Sequence, residues 1–226
     1  MDCFYYRGQK CGHCKEIIPV FGLGHHKPEE EGEDQFTKCI INFYNYGNKR
    51  EMNYLLQQSV NLFKERFEGD IKFDFICVMP THNKGETNRN MEKFARMFSA
   101  EIMVPYAQIV NRNKTIKCQH ELKSKGERLE NVKGSFGITA GLKGKNILIL
   151  DNLIITGSNA QELFDALKEA GAKSVFFICF GLGSKGREAD FDINPNFKGK
   201  ASKIVSEWHW PKVPKEDRQK HAEKMD

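Results

Sequence analysis

Six residues within nine positions hold the densest chemistry of the chain: Asp151, Asn152, Thr156, Gly157, Ser158 and Asn159. Asp151 and Asn152 offer acceptors for the hydroxyls of a sugar-like ligand. The small residues that follow form a tight turn whose hydroxyls and backbone N–H groups suit a phosphate. The amide at 152 keeps an acceptor without the charge, and hydrogen bonds to charged groups are the stronger kind. Upstream, Thr81, His82 and Lys84 put a hydroxyl, an imidazole and an ammonium into one polar loop. A third group is basic. Residues 109–136 carry seven Lys/Arg, Arg112, Lys114, Lys117 and Arg128 among them, against three Glu, and so long a loop is a lid, a binding segment or a solvated surface.

The N-terminal region offers different chemistry. Cys11-Gly12-His13-Cys14 is a C-x-x-C knuckle between turn formers, with Cys3 upstream and His25, His26 and Cys39 downstream. Zinc takes four such ligands in a tetrahedron, so a structural Zn2+ site of Cys3, Cys11, Cys14 and His25 (or His26) is one expectation. Unliganded thiols are the plainer alternative; a redox pair is a third, although no βαβ pattern adjoins it.

Elements that would position these groups follow from periodicity. Ile147 to Leu150 are four apolar β-formers in a row, a strand buried on both faces, and Ala160, Leu163, Phe164 and Leu167 then fall on one helical face. Phe73 to Met79 form another strand, stopped by Pro80, with Met91, Phe94, Ala95 and Phe98 on the next helix and a short strand expected at 101–104. Such crossovers are right-handed, and ligands of these sheets lie at the carboxyl ends of the strands. The loops at 80–85 and 155–159 are therefore expected on one rim. Arg50 to Phe67 has helical spacing, Phe36 to Tyr46 reads as a short strand or hairpin, Glu29 to Asp34 as a solvated linker, and 109–136 as a long mobile loop. Ser174 to Phe180 closes the sheet. The polar residues beyond 183 have Trp208 and Trp210 as their large anchors, for docking or for stacking on a base.

The totals bound the problem. A chain of 226 residues holds one substantial core and a small appendage. No apolar run approaches the roughly 20 residues that span a bilayer, and Met1-Asp2-Cys3-Phe4 lacks the basic and apolar regions of a secretory leader. Seven cysteines, two of them (Cys77, Cys179) inside apolar strands, suit a reducing, cytoplasmic setting. A formal charge of +5 suits a polyanionic ligand without arguing for nucleic acid.

The stretch from Ile147 to Asn159 resembles the PRPP-binding signature of type I phosphoribosyltransferases: a hydrophobic strand, acidic residues, two apolar residues, then a Thr/Ser-rich glycine loop. Asp151, Thr156 and Gly157 match; Asn152 stands for the second acid, and Ile155 and Asn159 for the usual hydroxyl residues. Without the resemblance, the stretch also fits a generic α/β phosphate turn. The spacing Arg112, Thr115, Gln119, Leu122, Arg128, Asn131, Val132, Gly134 and Phe136 looks like the ComF family, which couples an N-terminal cysteine zinc module to such a domain. The resemblance implies an α/β fold, a mainly parallel sheet with helices on both faces, plus a zinc-knuckle module at 1–40, a phosphoribosyltransferase-like domain at 41–183 and an extension at 184–226. It implies PRPP with Mg2+ as ligand. Thr156, Gly157, Ser158, Asn159, Thr81, His82 and Lys84 would bind it, and Asp151, Asn152, Arg112 and Lys114 would act at the reacting centre. Two alternatives stay open: a non-catalytic single-stranded-DNA-binding protein of natural competence, and a PRPP-responsive regulator. The acceptor and the oligomeric state stay open as well.

Overall fold

A computed structural model describes residues 5–10, 17–26, 34–183 and 193–194. Its strands are β1 (Tyr5–Lys10), β2 (Ile17–His26), β3 (Phe75–Val78), β4 (Val110–Arg112), β5 (Phe136–Ile138), β6 (Asn146–Ile154), β7 (Ser174–Gly183) and β8 (Ile193–Asn194). Its helices are α1 (Gln35–Tyr46), α2 (Lys49–Arg66), α3 (Arg89–Ile102), α4 (Lys125–Val132) and α5 (Ser158–Glu169). Six strands form one sheet in the order β3-β6-β7-β2-β1-β8, while β4 and β5 pair separately. The pairs β3–β6, β6–β7 and β2–β7 are parallel; β1–β2 and β1–β8 are antiparallel.

Alternation along the strands sorts the core into two layers. Ile76, Val78, Leu148, Leu150, Phe176 and Ile178 face α1, α2 and α3. Cys77, Ile147, Ile149, Val175, Phe177 and Cys179 face α5 and the β4–β5 pair. The parallel strands are apolar on both faces because both are covered. Phe180 locks the first layer, with its ring 5.6 Å from that of Phe43 on α1 and 4.8 Å from that of Phe94 on α3. Truncating a fully buried phenylalanine such as Phe94 costs about 3–5 kcal/mol. Cys77 and Cys179 are buried and outside any disulfide, as expected of small core residues.

Three elements differ from the sequence-based expectation. Residues 36–46, read as a strand or hairpin, are helix α1. Thr37, Ile40 and Phe43 are buried at three-residue steps, Asp34 caps the start by accepting from the Thr37 N–H at 2.7 Å, and Gly47 ends it at φ 65°. Periodicity and caps outweigh the β-branched and aromatic content. The strand expected at 101–104 is the end of α3 and its cap Met103. The parallel neighbour of β3 comes slightly later, where the Ile76 N–H donates to the Pro105 carbonyl at 2.8 Å and the Ala107 N–H to the Ile76 carbonyl at 2.9 Å. Residues 109–136, read as a mobile loop, hold β4, a 3-10 turn at Gln119–Glu121 and α4.

The N-terminal residues also join the main sheet. Val20, Phe21 and Gly22 of β2 pair with Phe177, Ile178 and Cys179 of β7, and residue 40 lies inside α1, so the expected boundary at 40 runs through a helix. Among the described residues, no helix is long and apolar enough to cross a membrane.

Candidate active site

The β6 strand runs past Leu150, so Asp151 sits within the sheet, paired with Cys179, rather than beyond its end. Asp151 is only 9 % exposed, and burial pushes its pKa up to about 7. The Asn152 N–H, donating to Oδ1 at 2.8 Å, and the positive charge of Arg112 pull the other way without cancelling it. Beyond Ile154 the chain turns sharply at Gly157, whose φ of 76° is reached by glycine without the strain a Cβ brings. The Thr156 and Ser158 hydroxyls lie 3.1 Å apart, and α5 starts with no side chain capping it. A helix start without a cap leaves N–H donors and the positive end of the dipole for an anion.

Arg112 joins this turn to the rest of the site. It is 2 % exposed, and its guanidinium makes three hydrogen bonds. Nε donates to the Thr81 carbonyl at 3.0 Å, Nη2 to Asn159 Oδ1 at 2.8 Å, and Nη1 to the Ser135 hydroxyl. The ring of Phe136 lies 3.9 Å from the guanidinium carbon. Burial lowers its pKa to about 10, opposed by the charges of Asp151 and Glu162. An arginine fixed in this way is a strut and does not swing over the site as a lid cation would. Lys114 is exposed, with its ammonium donating to the Lys133 carbonyl at 2.8 Å. Arg128 donates to the Leu122 carbonyl at 3.1 Å and 2.8 Å. Each of these two cations bonds within the 110–136 segment, where the sequence had suggested closure over a ligand.

The loop at 80–86 is laced to that segment through the backbone. The Gly85 N–H donates to the Arg112 carbonyl at 3.0 Å, the Lys84 N–H to the Thr115 hydroxyl at 3.0 Å, and the Ile116 N–H to the His82 carbonyl at 2.9 Å. His82 Nδ1 lies 3.7 Å from the Cys118 sulfur, and the His82 and Lys84 side chains are exposed. Thr81, Asp151 and Asn159 are thus gathered around one arginine, while Lys84 enters through its main chain.

Residues outside the sequence-based set also face the site. Tyr44 on α1 has its phenol pushed up to about 12 by burial and then by the charge of Asp151, with the Asn88 side chain bonded to it. Its carbonyl accepts from the Asn88 and Asn90 amides at 3.3 Å and 3.0 Å, tying α1 to the start of α3. Tyr44 could be placed only after α1 was recognised as a helix, for which Asp34 and Gly47 were the available signals.

The expected zinc set lies mostly outside the described residues. Cys3, Cys11 and Cys14 lie outside the described residues, as do Trp208 and Trp210. His25 lies near the end of β2. Among the described residues no group of three or more His, Cys, Asp or Glu could hold a metal.

No family model matches the chain. The adenine phosphoribosyltransferase of Campylobacter jejuni is 30 % identical over 142 residues, covering 61 % of this chain and 69 % of the relative. The uracil phosphoribosyltransferase of Ligilactobacillus salivarius is 34 % identical over 55 residues, 24 % of this chain and 26 % of the relative. Among solved structures, adenine phosphoribosyltransferase from Saccharomyces cerevisiae has a TM-score of 0.41 at 17 % identity, covering 62 % of this chain and 72 % of that one. With a curated relative matched at that identity over that share of its length, the chain belongs to the type I phosphoribosyltransferase family.

Proposed function

We propose that the chain binds PRPP with Mg2+ on the turn after β6 and transfers the phosphoribosyl group to a nucleobase, releasing pyrophosphate. The observation that carries this reading is the uncapped start of α5 standing directly beyond the buried carboxylate of Asp151. The 5′-phosphate takes the N–H groups of the turn and the hydroxyls of Thr156 and Ser158. Asp151 and Asn152 accept from the ribose hydroxyls, and the diphosphate lies toward Thr81, His82 and Lys84. In the reaction, the bond from ribose C1 to the diphosphate oxygen breaks, a bond from C1 to a base nitrogen forms, and the proton of that nitrogen passes to the departing diphosphate. Positive charge gathers on the sugar between these events, and an ionised Asp151 favours it.

Mg2+ is commonly held by one or two carboxylates together with substrate phosphates. Asp151 plus the oxygens of PRPP fits that donor set, and the metal would neutralise charge on the diphosphate. The names of the adenine- and uracil-specific relatives support a nucleobase acceptor. The spacing from Arg112 to Phe136 supports a place in the ComF branch. Titration calorimetry with PRPP and Mg2+, followed by pyrophosphate assays with adenine and uracil, tests the reading. We expect binding by the parent, at least roughly tenfold weaker binding by Asp151→Ala through loss of charged hydrogen bonds, and release with one of the two bases. Absence of PRPP binding by the parent would sink it.

A further inference from the structure

We infer that Arg112 is a positioning residue that sets the phosphate turn through Asn159, and does not itself touch the ligand. This rests on the proposed PRPP site. Arginine carries donors only, so the Asn159 atom that meets it at 2.8 Å must be the carbonyl oxygen. The amide flip is thereby fixed, and the Nδ2 amino group is the end turned away from the guanidinium. Without the arginine the amide is free to present either end, and the oxygen repels a phosphate.

The same guanidinium holds the Thr81 carbonyl at 3.0 Å. In a trans peptide the carbonyl and the following N–H point in opposite directions, so the His82 N–H is turned away from Arg112. One buried cation thus aims two donors, one on each loop of the site. The Ser135 hydroxyl and the face of Phe136 hold the cation itself in place. With its charge buried at 2 % exposure, Arg112 is cut off from direct contact with a ligand in solution.

A double-mutant cycle tests the inference, using calorimetric titration with PRPP and Mg2+ on the parent, Arg112→Lys, Asn159→Ser and the combination. Residues that act through each other do not add. Each single change is expected to weaken binding roughly tenfold, and the double variant no more than the weaker single. Additive losses, or full affinity in Arg112→Lys, would overturn the inference while leaving the PRPP site standing. A parent that does not bind PRPP removes both.

Asn159→Asp separates positioning from scaffolding and serves if Arg112→Lys does not fold. It keeps an oxygen for Arg112 and removes the amino donor. Thermal stability is expected to be kept or raised while PRPP affinity falls at least tenfold. Parent-like affinity in Asn159→Asp would show that the contact only holds the fold.

Discussion

Residues 146–159 reach the site as a strand and a helix start, while residues 110–136 reach it through side chains. In the first segment β6 is paired to β3 and β7 in unbroken register, and its apolar residues fill both layers of the core. In the second, β4 and β5 make a three-residue ladder, and much of the rest is tied by polar side chains. The Thr115 hydroxyl accepts from Lys84, the Asn131 amide both accepts from and donates to Lys117, and Arg128 clamps the Leu122 carbonyl. The residues whose spacing looked like a binding motif are largely staples that fold the segment. A polar pattern in sequence can record internal satisfaction as readily as contact with a ligand.

The largest effect that sharpens this contrast is expected at Arg112. Arg112→Ala leaves the Thr81 carbonyl, the Ser135 hydroxyl and Asn159 without their donor and Asp151 without its nearby cation. Breaking a buried charged network by removing one partner costs about 3–5 kcal/mol. Urea unfolding would measure it. A loss below about 1 kcal/mol, typical of a surface pair, would mean that the second segment does not depend on its staple.

Asp151 tests the first segment, with the opposite sign. Its folded carboxyl titrates near 7, against an unfolded value of about 3.9. The folded chain therefore holds this proton more tightly, and stability falls as pH rises from about 4 to about 7. Asp151→Asn removes the cost of burying the charge. The variant is expected to be more stable than the parent above pH 7, on the order of 1–4 kcal/mol, with the difference shrinking as pH falls through 7 toward 4. Denaturation at pH 5 and pH 8 checks it; a gap that does not grow with pH would contradict the buried-charge account. This variant is expected to gain stability where it loses PRPP, which is the outcome if the buried carboxylate serves the proposed site. A smaller effect is expected at Gly157, where an alanine at φ 76° costs about 1–2 kcal/mol and tilts the start of α5; thermal unfolding and PRPP titration on Gly157→Ala would read the two consequences separately.

The same contrast explains what could be read from the chain. The runs Ile147 to Leu150 and Val175 to Phe180 announce parallel strands because burial on both faces leaves no polar position. The turn at Thr156 to Asn159 is legible because it needs glycine and small residues at fixed offsets. Arg112 was marked as a cation of interest, but its role was not legible. Its partners lie 31, 23 and 47 residues away, and no local pattern encodes such pairs. Helix α1 was missed for a different reason: Asp34 was read with the acidic run before it and not as the cap that it is.

Helix α4 was missed although its signal was present. Ser124 and Glu127 are a capping box: the Ser124 hydroxyl accepts from the Glu127 N–H at 3.1 Å, and the Glu127 carboxylate accepts from the Ser124 N–H at 3.2 Å. The box caps an eight-residue helix whose buried anchor is Val132. So short a helix is not stable alone, and its cap accounts for an unusual share of its stability. Ser124→Ala is expected to cost about 1 kcal/mol, felt in the second segment and not in the first. Hydrogen exchange should show faster amides over 125–132 with β6 and α5 unchanged. Uniform acceleration across both segments would mean that they unfold as one unit, and the distinction between a main-chain-built and a side-chain-built half of the site would then describe geometry without describing stability.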